Sequence, residues 1–344
     1  MATQNSTPQE RIRIFNRQGI ELCDVRAFVE RSWIMGDEGR ASFTLASSDL
    51  AANEDFIQFG NWLLVENDYL PSWVGIIDTP REWGIRTVTV NAFTPERQLA
   101  LRRGPLEEKV TGSAGTIFER IINLVNAAEP TPIAVGDIYR GGSQREETLN
   151  PTTFNQDLRR IYSRSAEEYS WRPVVTSKRL VVYADWQIRL GSNVDIALEE
   201  GQGGGNIEAT DAPMIEDEPI INDVLGYGDG TAWTSKPNAV AQDSDSIAKY
   251  GLRQASKEWS GTNLATIATN NNNYLATVKN PVRLFDIQAL NVGEVFINLR
   301  LGNKMPLKMQ SVGFGGVNTN VRILGMYYNP ADGQKVELVL QEVP

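Results

Sequence analysis

Val74-Gly75-Ile76-Ile77-Asp78-Thr79-Pro80-Arg81-Glu82 and Leu324-Gly325-Met326-Tyr327-Tyr328-Asn329-Pro330-Ala331-Asp332 stand 250 residues apart and keep Gly, Pro and an acidic residue in step without a gap. Each stretch runs on into a strand pattern, Thr87-Val88-Thr89-Val90-Asn91 in the first and Glu337-Leu338-Val339-Leu340-Gln341 in the second. Val88 and Val90, like Val336, Leu338 and Leu340, recur at every second residue, which puts them on one face of a half-buried strand. The spacing predicts two β-hairpins, each with a glycine in its first strand and a proline-initiated turn. A chain that carries the same hairpin twice is expected to hold two related β-domains, an arrangement that suits architecture better than catalysis.

At 344 residues, with 41% hydrophobic and 22% charged residues, the chain has the composition of a soluble globular protein with one large core or, in preference, two or three modest ones. Its longest apolar runs, such as Trp62-Leu63-Leu64-Val65 and Leu180-Val181-Val182-Tyr183, are strand-sized. They fall far short of the roughly 20 residues a membrane helix needs, so no stable membrane insertion is expected. Met1 to Glu10 is polar and shows no export signal. Cys23 is the sole cysteine, which leaves no intrachain disulfide and predicts a buried apolar role. A net charge of −10 argues against gripping nucleic acid through its phosphates. It suits equally a surface past which nucleic acid must slide and one that is merely soluble.

Strand patterns fill the first hundred residues: Arg11 to Phe15, Ser42 to Leu45, Asn61 to Asn67 and Ser72 to Asp78. The period then changes. Ile117, Ile121, Leu124 and Val125 share a helical face behind a possible capping box, Thr116 to Glu119, and a second helix is expected from Thr153 with a T-x-x-Q start. Strands return at Arg172 to Ser177 and Arg179 to Ala184 around a Ser177-Lys178 turn. The glycine-rich stretch Glu199 to Gly205 lacks the Lys-Ser/Thr of a phosphate loop and reads as a loose hairpin or connection. Asp245 is the expected N-cap of a single helical turn ending at Gly251, and a longer helix is expected over Thr262 to Val278, weakened by the run Asn270 to Asn273. The last sixty residues are strands.

The chain contains no histidine, which removes the commonest neutral-pH acid–base group and, with a single cysteine, any ordinary zinc site. No cofactor, metal or catalytic residue is therefore expected. Paired carboxylates could still serve a glycosidase: Glu199 with Glu200, Asp211 with Glu216, Asp217 and Glu218, or Asp243 with Asp245. Their Gly- and Ser-rich surroundings favour solvated turns and caps. An oxygen-ligand cation site in Asp211 to Asp223 lacks calcium-loop spacing. Eight tryptophans, Trp33, Trp62, Trp73, Trp83, Trp171, Trp186, Trp233 and Trp259, admit a sugar-binding platform but are scattered through strand patterns, as core or subunit-contact residues would be.

The order of these features is similar to the hub proteins of phage tails and related injection machines. Trp73 to Asp78 with its return Arg86 to Asn91 resembles the family's W-x-G-x-I strand pair. Leu99 to Arg103 leading into Thr111 to Phe118 resembles the start of its insert helix. Asp245-Ser-Ile-Ala-Lys-Tyr-Gly-Leu-Arg253 is similar to its S-I-x-x-Y-G-x-R stretch, and Val321 to Met326 with Val336 to Leu340 to its closing hairpin. The resemblance implies an α+β, mainly β fold with two related tube-protein-like β-barrel domains and an α-rich insert. The first barrel is expected at 1–95, completed by strands from about 172–200, the insert at 96–171, and the second barrel at 201–344 with a helix near 262–279. It further implies a homotrimeric ring whose six barrels join the tail tube, or a distal tail protein, to the tip or fibre proteins. Such a ring would dock a tape-measure protein, let DNA pass without specific binding, and sit at the virion tail tip after assembly in the host cytoplasm. Its residues of interest are architectural. Gly75 and Gly325 would allow close backbone approach, Pro80 and Pro330 would shape the turns, and Tyr250, Gly251 and Arg253 would mark a junction beside the second barrel. The alternatives are a receptor- or glycan-binding tail protein and a carboxylate-based cell-wall hydrolase.

Overall fold

The computed structural model describes residues 10–201, 205–217, 220–230, 233–259, 263–292, 295–312, 316–332 and 335–343. Seven strands open the chain: β1 (Glu10–Phe15), β2 (Glu21–Ala27), β3 (Val29–Ile34), β4 (Arg40–Ala46), β5 (Trp62–Glu66), β6 (Trp73–Trp83) and β7 (Thr87–Phe93). They pair in the order β3-β4-β7-β6-β5-β1-β2. Only Phe28 separates β2 from β3, so this bent strand closes the sheet on itself as a barrel.

Residues 96–187 follow as an α/β insert: α1 (Glu96–Ala100), β8 (Glu108–Gly112), α2 (Ala114–Ala128), β9 (Ile133–Ile138), β10 (Arg145–Leu149), α3 (Phe154–Ser163), β11 (Glu168–Thr176) and β12 (Arg179–Gln187). The strands expected to complete the first barrel lie in a separate sheet and touch it through an isolated Ile20–Arg179 bridge. β11 and β12 form a hairpin whose other neighbour is β9. Ser177 and Lys178 both take positive φ, 50° and 65°, in the manner of the two-residue turn that matches strand twist. The barrel needs no further strand, because the bend at Phe28 already closes it.

The second barrel comprises β13 (Leu198–Glu199), β14 (Ile207–Asp217), β18 (Val282–Leu290), β19 (Lys304–Met309), β20 (Val317–Tyr328) and β21 (Lys335–Val343). Its order is β14-β18-β21-β20-β19-β13, and a Glu200–Ile207 bridge returns it to β14. Between β14 and β18 lies a small second insert, β15 (Asp223–Tyr227), β16 (Asn238–Gln242), α4 (Ser244–Tyr250), β17 (Gln254–Glu258) and α5 (Leu264–Val278). A short helix, α6 (Val295–Asn298), precedes β19.

Matched along the chain, β3, β4, β5, β6 and β7 correspond to β14, β18, β19, β20 and β21, and each set pairs in the same order. The register of the duplication differs from the sequence echo. Gly60 N–H donates to Ile77 O and Ile77 N–H to Asn61 O, just as Gly302 N–H donates to Ile323 O and Ile323 N–H to Asn303 O. Ile77 is thus the counterpart of Ile323, and Trp62 opposite Ile76 that of Lys304 opposite Arg322. Gly75 matches Val321, not Gly325. The residues that do recur are Gly60-Asn61 and Gly302-Asn303. Both glycines are left-handed, at φ 89° and 84°. Both asparagine amides are buried and donate to the carbonyl five residues back, Phe56 and Asn298, at 2.9 and 2.8 Å. Each pair closes a four-residue turn, Asn61 N–H donating to Gln58 O and Asn303 N–H to Arg300 O, and launches a barrel strand.

Apolar side chains from both barrel interiors form one continuous core, from Ile12 and Phe43 to Phe285 and Leu340. The all-apolar run Trp62 to Val65 is buried on both faces. Leu63 and Val65 point into the barrel, while Trp62 and Leu64 pack beneath α2, α3 and β12 of the first insert. Ser113, ahead of Thr116, is the N-cap of α2, accepting from Thr116 N–H at 3.3 Å, so Thr116 falls within the first turn. Asp243, not Asp245, caps α4, because the helix already begins at Ser244. No helix among the described residues is long and apolar enough to cross a membrane.

Candidate functional site

The two barrels meet edge to edge. β3 and β20 run antiparallel with Ile34 opposite Gly325, Trp33 opposite Met326, Ser32 opposite Tyr327 and Arg31 opposite Tyr328. Met35 N–H adds a bond to Leu324 O at 2.9 Å, and within the first barrel Trp73 Nε1–H donates to Ser32 O of β3 at 2.9 Å. Arg31 locks the seam. Its guanidinium is 1% exposed, forks onto both oxygens of Glu10, and lies 5.1 and 5.0 Å from the ring centres of Trp33 and Tyr328. A buried arginine held by a bidentate carboxylate and two aromatic faces fixes the strand register, although its Nε–H closes no hydrogen bond.

Beside this seam the first insert docks on both barrels and leaves a cleft of about 370 Å³ lined by Trp33, Trp73, Tyr169, Trp171, Arg300 and Met326, among others. Glu96, on α1, is 3% exposed in its wall and accepts from Trp171 Nε1–H at 2.8 Å. Its second oxygen closes no hydrogen bond, although the Thr94 and Tyr169 hydroxyls are neighbours. Burial raises this carboxyl to about 6. Burial likewise drives the Tyr169 phenol well above its ordinary value. Across the cleft, Arg322 of β20 holds Glu168 of β11 through both oxygens, and Glu168 Oε2 also accepts from Leu190 N–H at 2.6 Å.

Of the candidate acid–base residues, Glu199, Glu200 and Asp243 are tied into structure. Glu199 bonds Lys308 at 2.5 Å, and Glu200 accepts from the Gln310 and Ser311 N–H groups; the Ser311 hydroxyl first, and then those N–H groups, lower its carboxyl below the usual range. Asp243 caps α4 and bonds Lys279 at 2.8 Å, an arrangement that also lowers it. The side chains of Asp211, Glu216 and Asp217, with Glu218 entire, lie outside the described residues. Among the described residues no cluster of acidic or cysteine side chains is arranged to hold a metal ion. Trp33, Trp62, Trp73, Trp186 and Trp259 are buried and Trp171 is half-buried, whereas Trp83 is 53% exposed; the Trp233 side chain is outside the described residues. Cys23 is half-buried against the barrel core, with its thiol raised to about 11 chiefly by burial.

The architectural residues fall in several places. A Cβ on Gly75 would collide with Phe93 O and the Trp73 ring, whereas one on Gly325 would meet Val339 at 3.5 Å and Trp33 O at 3.7 Å, both ordinary contacts. Gly75 therefore marks a close approach and Gly325 does not. Pro330 begins a short helical turn after β20 ends. Pro80 initiates no turn: it follows a cis peptide inside β6, at a bulge between Asp78 and Arg81, and the hairpin turns only beyond Trp83. Gly251 ends α4 at φ 76°. It gathers with Arg253 around buried Asn222, whose amide donates to Gly251 O at 2.7 Å and whose carbonyl accepts from Arg253 N–H at 2.7 Å. Arg253 Nε–H in turn donates to Tyr250 O at 3.4 Å, so this trio gathers in the second insert around Asn222, on the stretch that leads from β14 into β15. Arg31, Arg322 and the Gly-Asn pairs were not singled out from sequence; only the recurrence of Gly-Asn before an alternating strand could have signalled them.

No family model matches the chain, and no curated protein does. Solved structures do match. A tail protein from Neisseria meningitidis MC58 superposes with TM-score 0.61 at 13% identity, over 97% of this chain and 97% of that one. A 43 kDa tail protein of prophage MuSo2 from Shewanella oneidensis gives 0.61 at 11% identity, over 97% and 98%. An E. coli component of the type VI secretion system, described as similar to the T4 bacteriophage tail proteins gp27 and gp5, gives 0.51 at 10% identity, over 99% and 75%. The mainly β, two-barrel chain has the fold of these phage tail proteins.

Proposed function

We propose that the protein is a structural hub of a phage or phage-like tail, a homotrimeric ring with no enzymatic activity of its own. The observation that carries this reading is the edge-to-edge union, within one chain, of two barrels with the same strand order. Three chains supply six similar barrels, which meet a six-fold tube on one side and a three-fold tip on the other. On this reading the ring joins the tail tube or a distal tail protein to tip or fibre proteins and receives the tape-measure protein. It occupies the virion tail tip and is assembled in the host cytoplasm. The chain's net charge of −10 would keep DNA from adhering as it passes. Native mass spectrometry of the purified chain, with copy counting by cryo-electron microscopy of the assembled particle, tests the proposal. Three copies in a closed ring are expected, and a monomer in the particle would overturn it.

A further inference from the structure

The duplication says more than that the barrels are alike: it says how the next copy joins. β20 is satisfied along one edge first by β19, up to Arg322, and then by β3, from Gly325 to Tyr328. β6 is satisfied along the corresponding edge by β5, up to Ile76, and by Gly60 and Asn61 at Ile77; at the bulge Thr79 N–H and Pro80 O meet only the Asp78 and Asn91 side chains, and Arg81 to Trp83 have no strand along that edge among the described residues. The strand corresponding to β3 is β14, and its edge away from β18 has no backbone partner among the described residues from Met214 to Asp217. An open row of N–H and C=O groups is a template for another strand.

We infer that the open edge of β6 pairs with the open edge of β14 from a second copy of this chain, repeating between molecules the seam that β3 and β20 make within one. This rests on the hub reading and supplies its contact. The register follows from the equivalences. Val90, opposite Arg81, corresponds to Leu338, opposite Met326, so Arg81, Glu82 and Trp83 stand for Met326, Tyr327 and Tyr328. Ala41, opposite Arg31, corresponds to Phe285, opposite Met214, so Met214, Ile215 and Glu216 stand for Arg31, Ser32 and Trp33. The seam then places Trp83 across from Met214, Glu82 across from Ile215 and Arg81 across from Glu216. Trp83 and Ile215, each 53% exposed, are the apolar residues that such a seam would cover. The arrangement is heterologous, each copy giving β6 to one neighbour and β14 to the other, and on the hub reading it closes as a ring of three.

The experiment uses the full chain with Cys23→Ala and two further pairs. Glu82→Cys with Ile215→Cys spans the proposed seam, and Ser32→Cys with Tyr327→Cys spans the internal one. After oxidation the first pair is expected to give covalent trimers on a non-reducing gel, collapsing to monomer with reductant, while the second stays at monomer mass. A wild-type trimer whose Glu82→Cys/Ile215→Cys variant never cross-links would overturn the seam and leave the hub standing. A wild-type monomer at every concentration, with no cross-link, would overturn both. An open ladder beyond trimer would keep the seam and overturn the closed ring. Trp83→Asp gives a second reading without cross-linking: trimer affinity should fall about tenfold or more, as for a buried interface aromatic, with the unfolding midpoint unchanged. Unaltered affinity would count against the seam.

Discussion

Gly60 and Gly302 hold the same left-handed backbone in the two barrels, yet they will not tolerate alanine equally. Both pay the conformational term of about 1–2 kcal/mol for an L side chain at positive φ. At Gly60 the new methyl meets only the flexible end of Arg17, whereas at Gly302 it meets the Leu190 backbone, at 2.5 Å from O and 2.6 Å from C. Gly60→Ala should therefore cost about 1–2 kcal/mol and Gly302→Ala about 3 kcal/mol or more, read as shifts in urea midpoint at unchanged slope. Glu96 makes a second prediction at this scale. Its folded carboxyl titrates near 6, above the ordinary 4.5, because it is buried. Between those values the native state keeps a proton that the unfolded chain has released, so stability falls as pH rises through the window. Glu96→Gln, which keeps an acceptor for Trp171, should match the wild type below that window. Above pH 6 it should exceed it by up to about 2 kcal/mol, at 1.36 kcal/mol for each unit. An identical pH profile for both proteins would show that the carboxyl titrates normally.

At the scale of elements, the alternating strands, α3 with its Thr153 cap, the helix at 264–278 and the left-handed turn at Gly251 were all legible, because periodicity and caps act over a few residues. The duplication was legible but misregistered. An echo of Gly and Pro weighs composition, whereas the equivalence is set by hydrogen bonds between strands distant in sequence. Pro80 shows the difference: a proline inside a strand is tolerated at a bulge, so it need not mark a turn. The junction was illegible because Arg31 and Arg322 find their partners only after long-range pairing. The asparagine run in α5 also gains its reason only from the fold. Asn271, fully buried, accepts from Trp259 Nε1–H at 2.7 Å and donates to Ala239 O at 2.8 Å, tying the helix to the small sheet; Gly226 leaves the room it needs. Asn271→Leu strands both partners. It should cost the second insert about 2–3 kcal/mol, an unsatisfied buried donor and acceptor together. Hydrogen exchange should then quicken across 220–279 while the barrel strands keep their protection, and uniform quickening of the whole chain would refute this local role.

For the whole molecule, the decisive contact is the one that makes insert and barrels move together. Arg322 sits on β20 where the first barrel has Ile76, so it is not a relic of the barrel design but a feature of the second copy alone. It reaches Glu168 on the insert, Gly302 O at the Gly-Asn pair, and Leu190 O on the chain leaving the insert, at 3.2 Å and 3.1 Å for the two carbonyls. Burying such a pair adds little net stability relative to a well-packed apolar one, but removing a single partner strands the other charge, at a cost of about 3–5 kcal/mol. Arg322→Met alone should therefore be strongly destabilising. Glu168→Gln alone should cost less, because the amide oxygen still accepts from Leu190 N–H. The double variant should recover part of the loss, and a cycle over the four proteins should return a coupling of about 2 kcal/mol or more between residues 154 positions apart. The single Arg322→Met variant should also expose the 188–197 connection to protease before either barrel is cut. Additive effects in the cycle would mean that the insert rides on the barrels by apolar packing alone, and that the hub proposed above is held rigid by the core that runs through both barrels instead of by this ion pair.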